Sequence, residues 1–542
     1  MPPRPLAATM TEPAAPSDDS RYDAIVVGAG ISGLMAATTL NQRGLKVLVL
    51  EHNHQAGGLM SGIHRQGFYF DVGCQSFENM GILFPLLEQY GLLGTAKFHR
   101  VRYRLKMPDI DTVVMTLAQT RQDFKLAYPR LKDGIDKVFD RHQSTSDLIR
   151  ALFVPSAIPY VQKESAAAFL PWLCRALPWI GSLRTLLFED FTDWYKGLLP
   201  CDTQDSPGTL LAHCGYTKMN VFVASAFWHL WAEDYWYPEG GFQQWFDNWV
   251  KALEQRGVRF LFNRSVTGLE KSGDAATAVL TRKADRFTTG QVVYCGDYKQ
   301  AVHQLIGAER YSPAELARLG EVRHSDALVS VYLGLNLPAE KLKKILKSAH
   351  ILYFPTYDCR TALDLGDPQA HAKAFLEVSA HCVDDPGLNA PGKSSLVLQA
   401  FTQRQWMEGW KAGEQPPQAG QLRRTSQYKE LKDQVAEQMI RTFEGIFPEV
   451  RRHIEYVDVG SPLSTERFTR NHLGGTCGFE LNWRNYPFLN PLAHTKSPLR
   501  NVHMAGHFTV WPGAVPTAAL SGKIAALRAQ RALADIDPRD RP

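Results

Sequence analysis

The chain has 542 residues, too many for one compact core, so two or three structural units are expected. Its 44% hydrophobic and 21% charged residues make an ordinary globular composition, which excludes wholesale disorder. The formal charge of +5 is mild and forms no basic stripe, so nucleic acid is not an expected partner.

Residues 1–20, rich in Pro, Ala and Ser, lack the apolar run of a secretory signal and read as a disordered tail. Tyr22 to Val27 then has the apolar, β-branched pattern of a buried strand. Gly28-Ala29-Gly30-Ile31-Ser32-Gly33 follows, then a helix over Leu34 to Arg43 with Gly44 as its stop. Lys46 to Leu50 is a second strand ending at Glu51. In such a unit Gly28 permits a tight turn, Gly30 lets a pyrophosphate reach the backbone, and Gly33 lets helix and strand pack closely. The helix start, at Ile31 and Ser32, offers free N–H groups to phosphate. Glu51 stands 51 − 33 = 18 residues beyond the last glycine, where a carboxylate meets ribose hydroxyls. Strand, glycines, helix, strand and acid in this order predict a dinucleotide-binding βαβ unit.

Further along, no stretch reaches the ~18 apolar residues that span a bilayer, and a cytoplasmic location is expected. Lys163 to Phe188 is interrupted by Pro171 and Pro178 and carries Trp172, Trp179 and Arg175. It suits either an interfacial helix touching a membrane surface or a core helix with buried tryptophans. The aromatic cluster Phe227 to Tyr237 reads as core or pocket wall. Phe242 to Gln255 has helical apolar spacing and Gly257 ends it; Val258 to Phe262 and Gln291 to Gly296 read as strands. Stretches near 386–393 and 412–420 read as surface loops. The eight cysteines are scattered with no CxxC pair, and neither HExxH nor GxSxG occurs, so no metal site or nucleophile motif is predicted.

Three segments carry a family resemblance. Glu51 to Gly58 (EHNHQAGG), Tyr237 to Gly241 (YPEGG) and Gly513 to Lys523 (GAVPTAALSGK) resemble the carotenoid desaturase, carotenoid isomerase and retinol saturase family, within the flavin amine oxidase superfamily. The resemblance implies FAD as cofactor and an α/β fold: a doubly wound, Rossmann-like FAD domain with an inserted mixed α+β substrate domain. It implies that Gly57 and Gly58 face the pyrophosphate, that Val266 meets the adenine through its backbone, and that Gly296, Gly506 and the Gly513–Pro516 turn complete the site. A helix beginning near Val515 would aim its positive end at the flavin. Two departures stand out: Leu59 replaces the arginine many members carry after the glycine pair, and His507 replaces an acid.

The implied chemistry is desaturation, saturation or isomerisation at a C–C bond of a carotenoid, retinoid or unsaturated acyl chain, by hydride transfer with flavin N5. His507 and Glu239 are the candidate catalytic side chains, with His213 and Tyr237 behind them. Oxygen, a quinone and a nicotinamide stay open as electron partners. A flavin amine oxidase and a non-catalytic prenyl-binding protein of the GDP-dissociation-inhibitor type are the alternatives; Leu59 and the Trp511-Pro512 turn weigh against the first. The expected FAD domain is discontinuous, 21–100, 240–300 and 495–535, with 101–239 and 301–494 forming the substrate domain.

Overall fold

Short runs of Val, Ile and Leu, covered on both faces, set the first sheet. In the computed structural model Arg21–Val27 lies parallel to Val47–Leu50 on one side and to Arg286–Tyr294 on the other. Arg259–Leu261 extends the sheet beyond Val47–Leu50, and Val502–Met504 pairs with the end of Arg286–Tyr294. An antiparallel hairpin, Val266–Ser272 with Ala275–Thr281, forms the opposite edge. The structure describes residues 20–161, 168–200, 206–211, 216, 218–358, 362–363, 373–402, 410, 425–482, 495–510 and 513–534. Residues 1–19, His213, the 412–420 stretch and the Trp511-Pro512 turn lie outside these.

Strand alternation divides the sheet's side chains between two cores. Ala24, Val26, Val49 and Val293 join the core of helices Ile31–Asn41 and Val515–Ala534. Ile25, Leu48, Val292 and Tyr294 join the opposite core, with the π-type helix Ala301–Ile306 and helix Pro313–Glu321. This is a doubly wound α/β unit. The first and last helices touch at Gly522, where an added Cβ would lie 2.0 Å from the Ser32 carbonyl oxygen. The first helix begins at Ile31, three residues before the predicted Leu34, because the turn through Gly28–Gly30 delivers the chain directly into it. Gly44 stops it with φ +75°.

The second sheet has eight strands of mixed direction. Its order is Ile454–Gly460, Ala327–Leu335, Ser394–Thr402, Leu376–Ser379, His350–Tyr353, Tyr103–Lys106 and Asp111–Val114, with Ala362–Leu363 beside Ser394–Thr402. Helices Lys132–Leu152 and Val221–Glu233 pack on one another, joined by polar bridges such as Ser146 to His229, 2.7 Å. A small sheet of Phe77–Glu78, Tyr235–Pro238 and Phe98–Arg100 completes the framework.

The YPEGG segment meets the segment Phe70-Asp71-Val72-Gly73 (FDVG) at a buried carboxylate. Tyr69 Oη and Tyr237 Oη each donate to Asp71, both at 2.5 Å, and the backbone N–H of Phe242 points to it at 3.4 Å. Burial pushes the Asp71 carboxyl up to about 7, against these hydrogen bonds. The YPEGG and FDVG segments therefore act as a structural joint, and Tyr237 serves it rather than chemistry. The 386–393 stretch is not all surface: Leu388 is buried, and Asn389 accepts from the Tyr69 N–H at 2.9 Å.

Among the described residues no helix is long and apolar enough to cross a membrane. The described part of 163–188 forms helices Phe169–Cys174, Leu177–Trp179 and Ile180–Phe188. Leu170, Leu173, Leu177, Ile180 and Phe188 are exposed there, whereas Trp172 and Trp179 are half-buried and Trp172 Nε1 donates to the Leu152 carbonyl, 2.8 Å.

Candidate active site

The glycine-rich turns and the second sheet enclose one large cavity of about 610 Å³. Its first end is made of backbone. Gly28, Gly30, Ile31 and Ser32 line it beside Gly57, Gly58 and Leu59. The two glycine turns are locked together: Gly30 and Gly57 form a parallel bridge, and the Gly57 N–H donates to the Ala29 carbonyl, 3.0 Å. A Cβ on Gly30 would meet nothing within 4 Å, so the space before the helix start is open. The first N–H groups of Ile31–Asn41 have no partner within the helix. An anion fits there. Gly33 does not reach the cavity; its added Cβ would lie 1.9 Å from the Gly28 carbonyl oxygen, so it serves the close turn.

Glu51 is buried on the wall between these turns and the Val266 edge. It accepts from the Ala29 N–H at 2.7 Å and the Asn53 N–H at 2.8 Å. Burial raises its pKa and the backbone N–H groups oppose the rise. Val266, Gly296, Gly506, His507, Gly513 and Val515 line the same cavity, brought there from distant parts of the chain. Pro516 is buried in the first turn of the closing helix without reaching the wall.

The two catalytic candidates part company here. His507 is on the wall, and burial brings its pKa down to about 4, which keeps the imidazole neutral. Behind it His324 Nε2 and Asp297 Oδ2 are paired at 2.8 Å. Glu239 is off the wall: its carboxylate faces solvent, 3.8 Å from Lys97 Nζ. It is withdrawn as a catalytic candidate, because the Gly240–Gly241 turn carries it to the surface while Gly241 packs on Tyr69.

The other end of the cavity is apolar. Phe222, Phe227 and Trp231 contribute from helix Val221–Glu233, and Leu352, Phe375 and Phe401 from the second sheet. Sequence reasoning missed the polar groups set into this wall. Glu78 lines it, accepts from the Val515 N–H at 3.3 Å, and is pushed up to about 7 by burial. Glu377 lines it and accepts from or shares a proton with His350 Nε2 at 2.6 Å. A lone acid inside the apolar run Phe375–Ala380 was the available signal. At the glycine end, Arg264, Arg282 and Arg470 line the cavity, together with His52, whose Nδ1 lies 2.5 Å from Ser265 Oγ.

Two glycine turns before a helix start, a buried acid beside them and a second helix start across the cavity are the parts that a dinucleotide site requires. The family model for flavin containing amine oxidoreductases matches residues 31–529. The chain belongs to that family. It is a flavin-dependent oxidoreductase whose cofactor is FAD, and the carrier-only alternative falls with that assignment. An all-trans-retinol 13,14-reductase of Danio rerio is 23% identical over 89% of this chain and 82% of its own length. The Homo sapiens protein of that name is 24% identical over 90% and 82%. A lycopene-forming phytoene desaturase of Pantoea ananas is 24% identical over 69% and 75%. Among solved structures, a putrescine oxidase variant superposes with a TM-score of 0.59, covering 94% of this chain and 99% of its own, at 15% identity. At that identity the likeness speaks for the fold alone, which is the flavin amine oxidoreductase fold read from the sheets above.

Proposed function

We propose that this oxidoreductase adds or removes hydrogen, or moves a double bond, at one C–C bond of a long lipophilic substrate such as a carotenoid, a retinoid or an unsaturated acyl chain. The observation that carries the reading is the continuity of one cavity from the glycine turns to the aromatic wall. The names of the retinol reductases and phytoene desaturases support it.

FAD supplies a two-electron hydride exchange centre when bound. The chain's residues do the rest. Gly28, Gly30, Gly57, Gly58 and the N–H groups of Ile31 and Ser32 take the pyrophosphate, Glu51 takes the ribose, and Val266 borders the adenine. Gly296, Gly506, His507, Gly513 and Val515 close the flavin side. Neutral His507 orients a ribityl hydroxyl or phosphate and carries no proton to substrate. Phe227, Trp231, Phe375 and Phe401 exclude water and hold the chain so that one bond faces the flavin, which for a substrate with few polar handles is the main source of rate. The segments 21–100, 240–300 and 495–535 hold the cofactor in this reading, and 101–239 and 301–494 shape the substrate end.

Leu170, Leu173, Leu177 and Ile180 are exposed apolar side chains on consecutive short helices, of which Ile180–Phe188 packs on Val221–Glu233. A membrane surface is the partner these side chains suit, giving a lipid direct access. Mass spectrometry of small molecules released from denatured protein tests the whole reading. FAD together with a polyene or acyl lipid is expected, and dithionite-reduced protein should convert all-trans-retinol, or oxidised protein phytoene. FAD with amine-dependent peroxide formation and no lipid conversion would replace this reading with an amine oxidase.

A further inference from the structure

Glu377 is an anomaly in its surroundings. It projects from strand Leu376–Ser379 into the apolar end of the cavity, flanked by Leu352, Phe375 and Phe401. A carboxylate set against hydrocarbon costs several kcal/mol unless something answers it. One oxygen is answered: Oε1 lies 2.6 Å from His350 Nε2. His350 is itself 1% exposed and stacks on Tyr103 with ring centres 4.1 Å apart. The other oxygen, Oε2, has no protein partner among the described residues, and the side chain keeps 26% of its surface open.

The position of this acid along the cavity matters. Glu377 pairs across the sheet with Gln399, whose Nε2 donates to the Gly73 carbonyl at 3.0 Å. Gly73 is pressed against Leu59, the residue that follows the Gly57-Gly58 turn; an added Cβ would sit 2.4 Å from the Leu59 oxygen. Glu377 therefore stands at the junction between the backbone-lined end and the aromatic end. Glu78, the other acid of this wall, is engaged by the start of the closing helix.

We propose that Glu377, oriented by His350, is the acid–base catalyst that exchanges the proton with the substrate carbon next to the one that exchanges hydride. This deepens the proposed function and rests on it. In the saturating direction the C=C π bond breaks and two C–H bonds form. One carbon takes hydride from reduced flavin, which supplies both electrons, and its neighbour takes the proton of the Glu377 carboxyl. The carboxylate is then reprotonated by water entering the emptied cavity. In the desaturating direction the same carboxylate removes the proton. His350 is a positioning residue: it fixes the rotamer of Glu377 and shares its charge.

The test uses the FAD-loaded full chain, reduced with dithionite, in single turnover with all-trans-retinol in D2O. Binding of retinol is measured separately by tryptophan quenching. Glu377→Gln should keep FAD occupancy and retinol affinity, yet lose about 10²–10⁴-fold in the rate of product formation. Glu377→Asp should recover part of that rate. Wild-type product should carry deuterium at both carbons of the former double bond, one from the carboxyl and one with the hydride, whose hydrogen also comes from solvent on dithionite reduction. Glu377→Gln turning over within threefold of wild type would overturn the assignment, and so would a rate loss matched by an equal loss of retinol affinity, which would make Glu377 an anchor for the hydroxyl. Wild-type protein that converts neither retinol nor phytoene would instead overturn the proposed function and this role with it. His350→Asn separates orientation from mere packing: it should lower the single-turnover rate while leaving retinol affinity unchanged.

Discussion

The two ends of the cavity are built from different materials. The first is backbone: two interlocked glycine turns, a helix start and a single buried acid, Glu51. The second is side chain: aromatic and aliphatic groups from helix Val221–Glu233 and from one face of an eight-stranded sheet, with Glu377 and Glu78 set among them. Backbone recognition is intolerant, because an added side chain either collides with the neighbouring turn, as at Gly33, or fills the space left open for the ligand, as at Gly30. Apolar walls are tolerant, since many side chains of similar volume exclude water equally well. A constant cofactor and a variable substrate are served by these two kinds of wall.

The sharpest way to break that contrast is to substitute two glycines of the same turn. Gly33→Val forces a Cβ into the Gly28 carbonyl and should abolish soluble, folded protein. Gly30→Val meets open space and should leave a cooperative thermal transition while removing bound flavin, read from the visible spectrum. Equal damage from both would show that Gly30 has a packing role and no ligand role. Next in size is Glu51→Ala. Loss of a hydrogen-bonding acid costs about 1.5–3 kcal/mol, so the FAD Kd should rise roughly 10–100-fold by equilibrium dialysis. An unchanged Kd would remove Glu51 from the ribose.

At the other end, Phe227→Ala should weaken retinol binding about tenfold and leave FAD occupancy untouched, as expected for one buried aromatic contact. The smallest effect concerns Glu78. Burial lifts its carboxyl from 4.5 to about 7, so the folded chain holds a proton that the unfolded chain releases. Stability tied to this group is greatest below pH 4.5 and falls as the pH rises toward 7. Glu78→Gln should therefore gain on wild type by about 1–3 °C in Tm between pH 5 and pH 8. Asp71 titrates in the same sense, which leaves part of the slope in the variant. A constant gap between the two proteins across that range would mean that Glu78 ionises normally.

The same contrast explains what could be read before any coordinates. The strand, the glycines, the helix and Glu51 were legible because a backbone cradle demands particular residue types at fixed spacing. Val266, Gly506 and Val515 were legible only through resemblance, since nothing local ties them to Gly28. The aromatic wall was legible only in part: the Phe227 to Tyr237 cluster reads as core or pocket wall. Leu352, Phe375 and Phe401 follow strand periodicity like any core residue, and only the pairing of Leu376–Ser379 between His350–Tyr353 and Ser394–Thr402 brings their segments together. Glu239 misled for a related reason. An acid inside a recognisable glycine turn invites a chemical role, but the left-handed conformations of Gly240 and Gly241, both at φ +83°, send it outward to Lys97. Arg264, Arg282 and Arg470 line the cavity from segments with no motif of their own, so they were not legible either.

The contact between helices Ile31–Asn41 and Val515–Ala534, with Gly522 seated on Ser32, has a consequence for biosynthesis. The first βαβ unit is translated well before the helix that covers it. Until then the flank of the first helix around Ser32 and Ala36 lacks its cover, and the loop to be closed runs from there to Gly522. Val515 of the same helix lines the cavity, so that wall is incomplete until the helix docks, and the flank it covers stays exposed until then.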